Sequence, residues 1–494
     1  MATLTQTTPT PARKPSTNFG AQFRGWARES LYATPLQIAG NVLLLAMAAL
    51  VYLGQLRSAP TLAVVIGTLW LFGALWVAYG ALRHKPDALG QWLQERLYNT
   101  PASALVSLII VLLVAAVVRG LLNWAVFNAS FAGVGEHTGA TWGIIVANFK
   151  LLMTGQFPND QLWRVWASLA VLAVLIGLSL PVYGPLRQRL KAIRPLVTLL
   201  WLVSPLIFWV LLRGTLGLPV IETRFWGGLL LTVIITVFSL VLSFPLGILL
   251  ALGRRSQLPG IPAWLTYAAV GLVALWGLRK TTLPALSIVN DPLEWVFILW
   301  PVWLVLAALA FQRFYRGNVV AAASTVYIEF VRGVPLITVL FMAQILLPLF
   351  LPSHIIIENA FRAMWGFMFF SAAYLAENVR GGLQAIPKGQ YEAAEALGLN
   401  TFEQLRFIIL PQALRLVIPP MTGQFIGLFK DTSLVAVVGL FDLLGIANAI
   451  IAQPAWLGLR AEAYFFITVV YYVGCYFIAA MGTWLERRAG VGQR

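Results

Sequence analysis

Charge is scarce in this chain: Asp, Glu, Lys and Arg make up 11% of its 494 residues, against 60% hydrophobic. A water-soluble fold of that length needs far more charged surface, so that class is excluded. Cysteine is scarcer still. The single Cys475 lies inside an apolar run, which excludes a disulfide or a cysteine-based metal site within one chain. The three histidines, His84, His137 and His354, are scattered and read as loop or interface residues rather than ligands. No G-x-x-x-x-G-K-S/T phosphate loop occurs, so ATP hydrolysis by that device is excluded. No clustered Ser/His/Asp or metal-ligand spacing suggests other chemistry. Acidic residues are few, 18 against 34 basic, for a net charge of +16. The basic residues gather in short loops between apolar runs, the positive-inside distribution, so no nucleic-acid partner is expected.

What is present is hydrophobic length. Mean hydropathy is +0.82, and uncharged windows recur at the roughly 20 residues that cross a bilayer. Transmembrane β-barrels show short alternating segments instead, so the fold class is all-α, a polytopic transmembrane helical bundle. About 12 spans are expected, at 36–56, 60–82, 102–125, 163–183, 196–213, 225–252, 262–279, 294–311, 333–352, 361–378, 415–452 and 462–485. The eleventh is interrupted by Pro419-Pro420, Lys430-Asp431 and Asp442, so it reads as a broken helix that crosses once. Arg83, Lys85 and Arg96, then Arg187 to Arg194, Arg254-Arg255, Arg313 with Arg316, and Arg487-Arg488 fall on one side if crossings alternate. That side is the cytoplasm, with both termini on it; Arg279-Lys280 fall on the wrong side. Residues 1–35 are polar and basic, expected as a cytoplasmic tail rather than a cleavable signal peptide. An outer loop near 126–162 has the pattern of an amphipathic helix lying at the interface. Nineteen tryptophans, many near span ends, fit an aromatic belt.

The most informative segment is polar and runs from Pro387 to Pro411. Tyr391 to Leu397 is rich in Ala and Glu and predicts a helix; Gly398 supplies the positive φ that ends it. Thr401 with Gln404 reads as a capping box opening a second helix, and Pro411 as the point where that helix yields to the next span. The spacing Glu392-Ala393-Ala394, three residues, Gly398, nine residues, Ile408, one residue, Leu410-Pro411 resembles the cytoplasmic loop of ABC-importer permeases. The resemblance implies that an L-shaped helix pair seats in a groove of a separate ATPase, with Glu392, Ala393, Ala394 and Gly398 at the contact. Small alanines suit close approach, and the glycine suits a sharp bend.

Tyr327 to Leu336, Tyr374 to Gly389 and Lys430-Asp431-Thr432-Ser433-Leu434 resemble the polar amino-acid branch of that family, of the histidine, glutamine and general L-amino-acid type. That implies an N-terminal extension over 36–219 with about five spans. A permease core follows over 220–490, interrupted at about 258–322 by an insertion carrying two apolar runs. The implied partners are an ABC ATPase dimer, a second permease subunit (a paralogue or a copy), and a periplasmic or lipid-anchored amino-acid-binding protein, with membrane lipid around them. No cofactor is expected on this chain; ATP is used by the partner subunit. The chain is read as a non-enzymatic permease moving polar or broad-range L-amino acids inward, the alternative being an ion-gradient-driven secondary transporter. That alternative predicts inverted repeats, and no internal repeat is found.

Ionisable groups at membrane depth need partners. Glu377 and Asp431 are candidates to meet a substrate ammonium, and Lys430 to meet a carboxylate or to pair with Asp431; Thr432 and Ser433 complete this candidate path. The competing reading has them tying core helices together or sitting at the cytoplasmic mouth. Arg119 is expected to snorkel, and Glu329 and Arg332, three apart, to pair.

Overall fold

A chain segment surrounded by lipid satisfies its backbone only by closing its own hydrogen bonds, and the long uncharged runs all fold as helices. The computed structural model describes residues 34–83, 88–131, 138–184, 186, 188–286, 291–352 and 354–489. Among them the only β-type pairings are the isolated bridges Ser130–Thr141 and Gly228–Asp442. His84, His137, Lys85, Arg187 and nearly all of the N-terminal tail lie outside the described residues. The chain divides in sequence at Thr141–Trp142 into two compact units.

The first unit holds α1 (Pro35–Ser58), α2 (Pro60–Arg83), the short α3 (Ala88–Arg96) and α4 (Pro101–Leu122). Two of these starts are visible in sequence as Thr-Pro. Thr34 accepts from the Gln37 N–H at 3.2 Å, and Thr100 forms a reciprocal capping box with Ser103. Proline at the first helical position sacrifices only an N–H that would be unpaired there.

The second unit begins with α5 (Gly143–Thr154), followed by α6 (Leu162–Tyr183), α7 (Arg194–Trp209) and α8 (Gly228–Arg254). It continues through α9 (Ala263–Gly277), α10 (Trp300–Tyr315), α11 (Val319–Gly333), α12 (Leu336–Phe341) and α13 (Asn359–Gln384). Last come α14 (Lys388–Ala396), α15 (Leu410–Asp431), α16 (Leu443–Ile451) and α17 (Arg460–Ala489). α13 is the spine, packed along α8 on one side and α15 on the other. Glycine permits that approach: a Cβ on Gly382 would run into Val417 and the Ala413 carbonyl.

Among the described residues, seven helices are long and apolar enough to span a membrane, and an eighth is reached if Val319–Gly333 and Leu336–Phe350, bent by 109°, count as one span. The remaining runs of the twelve expected differ for identifiable reasons. α9 and α10, from the insertion, have 15 and 16 residues and pack on each other as a hairpin. α13 is long enough but carries Arg362, Glu377, Asn378 and Arg380. In the eleventh run, Pro419-Pro420 do not break α15, which continues through them packed against α13 and α17. The break comes instead at Thr432, where a 3-10 turn runs to Val438 and Gly439 takes φ +80°. The expected interfacial helix after residue 126 is α5, and it is built into the bundle: Ile144 and Leu152 are buried against Leu443, Ala447 and Ile450.

Candidate functional site

The polar segment after α13 folds as a bent helix pair on the end of the bundle. α14 begins right after Pro387 and ends at Ala396. Gly398 then takes φ +72°, in the left-handed region a Cβ resists. Its N–H donates to the Glu395 carbonyl at 2.9 Å, and that of Leu399 to the Ala394 carbonyl at 3.3 Å, which closes the helix end. The second helix starts one residue earlier than the sequence suggested. Its cap is Asn400, whose side chain accepts from the Glu403 N–H at 3.0 Å while the Glu403 carboxylate accepts from the Asn400 N–H at 2.9 Å. Thr401 is thus the first residue of the helix; an Asx side chain caps at least as well as a threonine. Nor does the helix yield at Pro411. A π-helical stretch over Gln404–Ile409 ends two residues before the proline, which falls in the first turn of α15, and the helical course from Thr401 continues to Asp431.

The pair is anchored from within. Ala394 and Ile409 are completely buried, the latter in a cluster with Leu375, Val379, Ala413 and Val417. Gln412 donates to the Gln390 side chain at 3.0 Å and so ties the two helices together. Tyr391 donates to the Leu383 carbonyl at 3.3 Å, and the Arg255 guanidinium lies 6.0 Å over its ring, which fixes α14 to the ends of α13 and α8. Glu392, Ala393, Gly398 and Pro411 are exposed, while Ile408 and Leu410 are half-buried. Two large apolar side chains join the exposed face, Leu397 at 75% and Phe402 at 66%. Of the residues singled out in this loop, Ala394 alone turns fully inward.

Beside the loop stands an ionic cluster. Glu377, 18% exposed, accepts from the Arg380 Nε at 2.6 Å and pairs with Arg254 at 3.3 Å and Arg332 at 3.7 Å. Arg254 also pairs with Glu329 at 2.8 Å. The expected Glu329–Arg332 pair is therefore replaced by two pairs that cross between helices. The cluster joins the end of α8, the last turns of α11 and the inner turns of α13. Three guanidinium groups around one carboxylate leave no net negative charge at Glu377 to attract an ammonium. Deeper between α13 and α15, Asn378 donates to Gln424 at 2.8 Å, and Gln424 to the Ser371 carbonyl at 2.9 Å.

At the far end of α15, Lys430 is exposed and Asp431 half-buried. Thr432 is buried and donates to the Phe429 carbonyl at 2.8 Å; Ser433 is half-buried. Asp442, which the sequence marked only as an interruption, is buried and caps α16, accepting from the Gly445 N–H at 2.9 Å and the Tyr471 hydroxyl at 3.1 Å. Glu377 and the Lys430–Ser433 group therefore belong to opposite halves of the bundle. Among the described residues no group of His, Cys, Asp and Glu is placed to hold a metal ion.

Residues 304–491 match the family of binding-protein-dependent transport system inner membrane components. The inner membrane amino-acid ABC transporter permease protein YhdY of Escherichia coli (strain K12) is 35% identical over 83% of this chain and 95% of its own length. The glutamate/glutamine/aspartate/asparagine transport system permease protein BztC of Rhodobacter capsulatus is 30% identical over 81% of this chain and 93% of its own. The glutamate/aspartate import permease protein GltK of Escherichia coli O6:H1 is 36% identical over 36% of this chain and 81% of its own.

Proposed function

The chain belongs to the amino-acid ABC transporter permeases, and on that premise we propose that the bent pair from Pro387 to Pro411 is where a separate ATPase drives it. It is a multi-pass membrane transport subunit of an ATP-driven importer, not an enzyme. The observation that carries the coupling role is the split in burial along one short loop. Ala394 and Ile409 are locked into the bundle, while Glu392, Ala393 and Gly398, with Leu397 and Phe402, face outward. Force applied to the outer face has a rigid path, through Tyr391 and Gln412, to the ends of α8, α13 and α15. Ile408, Leu410 and Pro411 carry that path into α15 and complete the coupling set.

The ATPase acts as a dimer and uses the ATP, and this chain binds no cofactor. A second permease subunit completes the pore, and a periplasmic or lipid-anchored binding protein delivers polar or broad-range L-amino acids. The loop and both termini face the cytoplasm of a bacterial cell. Glu377 acts at the cytoplasmic mouth through its arginines. Lys430 and Asp431, with Thr432 and Ser433, are the groups proposed to meet substrate deeper in the path, where a zwitterion needs one charge of each sign.

The test is uptake into vesicles supplied with binding protein and ATP. Uptake is expected to vanish without the ATPase subunit; uptake that persists overturns the reading. Gly398→Asp is expected to abolish ATP-driven uptake while the subunit still inserts in the membrane.

A further inference from the structure

α7, α8, α15 and α17 do not close on one another in the half of the bundle nearest the coupling loop. They leave an open crevice of about 390 Å³. Its wall is mostly apolar and includes Leu202, Leu240, Phe244, Met421, Ile478 and Leu485. The few polar atoms in that wall are already engaged. Thr198 donates to the Arg194 carbonyl at 2.9 Å, Trp201 to Ser179 at 2.9 Å, and Thr422 to the Ile418 carbonyl at 3.1 Å. An amino acid would find no free donor there, whereas a hydrocarbon chain would need none.

The mouth of the crevice is different. Thr198 and Leu485 mark its end; Arg194 lies one helical turn before the first, and Arg487 and Arg488 follow the second within three residues. The ends of α6 and α17 are close neighbours, since a Cβ on Gly184 would lie 2.8 Å from the Trp484 ring. Arg189, Lys191, Arg194, Arg487 and Arg488 therefore gather at this end, with Glu486 the acidic residue among them. Arg189, Lys191, Arg487 and Arg488 are exposed.

We propose that this crevice is a binding site for one anionic phospholipid, with an acyl chain in the apolar slot and the phosphate at the basic mouth. Basic pockets between transmembrane helices on the cytoplasmic side recognise such headgroups through charge, while the slot fixes where the lipid sits. The inference goes beyond the transport reading and leaves the substrate path untouched.

The experiment is lipid retention by the purified full-length chain in mild detergent, counted by native mass spectrometry. Phosphatidylglycerol and phosphatidylcholine with identical acyl chains are compared. Phosphatidylglycerol is expected to saturate the protein at a roughly tenfold lower concentration. The double change Arg487→Gln and Arg488→Gln should erase most of that preference without reducing phosphatidylcholine retention. Leu202→Trp, at a partly exposed position where the larger ring fills the slot, should reduce retention of both lipids. Soluble glycerol phosphate should not compete. Equal retention of the two lipids, or a preference unchanged in the arginine variant, overturns the proposal. So does a Leu202→Trp chain that keeps its lipid but loses a second copy of itself, which would make the slot an interface between copies.

Discussion

Glu377 is surrounded by Arg254, Arg332 and Arg380, and its role follows from how little water reaches it. At 18% exposure its ion pairs are only partly screened, whereas the Glu329 side chain, at 55%, is well solvated. Glu377→Gln removes the shared counter-charge of three guanidinium groups and should destabilise the chain by roughly 2–3 kcal/mol. Glu329→Gln should cost less than about 1 kcal/mol. Thermal unfolding of the solubilised protein separates the two, and equal shifts would contradict the placement of Glu377 as hub. The cap offers a second comparison at this scale. Asn400→Ala removes a reciprocal hydrogen bond and should weaken the start of its helix by about 1 kcal/mol, while Thr401→Ala should be nearly neutral. Amide exchange over Thr401–Leu405 reads the difference directly.

At the scale of the element, Ala393 and Ala394 are neighbours on one helix with opposite environments: one is exposed, the other has no exposed surface. Ala394→Leu must force a larger side chain into a packed site and should cost about 1–3 kcal/mol in stability. Ala393→Leu should leave the unfolding temperature unchanged yet reduce ATP-dependent uptake if, as proposed above, this face meets the ATPase. A variant pair with the reverse pattern would show that α14 is seated the other way round. Part of this element was legible beforehand: Gly398 as a helix end follows from residue type, whereas the resemblance set Glu392, Ala393 and Ala394 together at an outer contact, and Ala394 turns inward. The anchoring side was legible in principle, since Leu405, Ile409, Ala413, Val417 and Met421 recur every four residues and form one buried stripe. The shift of the cap to Asn400 was not, because Asn400 and Thr401 are both good caps and only the observed Glu403 contact decides between them. The crossed pairs of Arg254 and Arg332 were also out of reach. They depend on how α8, α11 and α13 meet, which periodicity along one helix does not report.

For the whole molecule, the insertion between α8 and α11 raises the question of what the bundle needs. α9 and α10 pack on each other, with Gln312 donating to Thr266 at 2.5 Å and Trp300 to Thr281 at 2.9 Å. The hairpin closes at its own base, where the Ile261 N–H donates to the Gly317 carbonyl at 2.9 Å. Its two ends are already joined to the bundle side by side: Asn318 donates to the Ser256 carbonyl at 2.9 Å and the Leu258 carbonyl at 3.2 Å. A segment whose ends are bridged in this way can be removed without stretching the flanking helices, and loop closure over a few residues costs little. Replacing Gly260–Gly317 with a short Gly-Ser linker is therefore expected to leave membrane insertion intact and ATP-driven uptake within about twofold of the parent, since α8, α11, α13 and the coupling loop keep every mutual contact. The hairpin leaves and returns at the same base, so the sidedness of everything after the insertion is expected to be preserved. Protease access to the Gly398 turn from the cytoplasmic side tests that directly. A shortened chain that inserts with this turn on the correct side but no longer transports would show that the hairpin carries a contact the machine requires, with the core itself already whole.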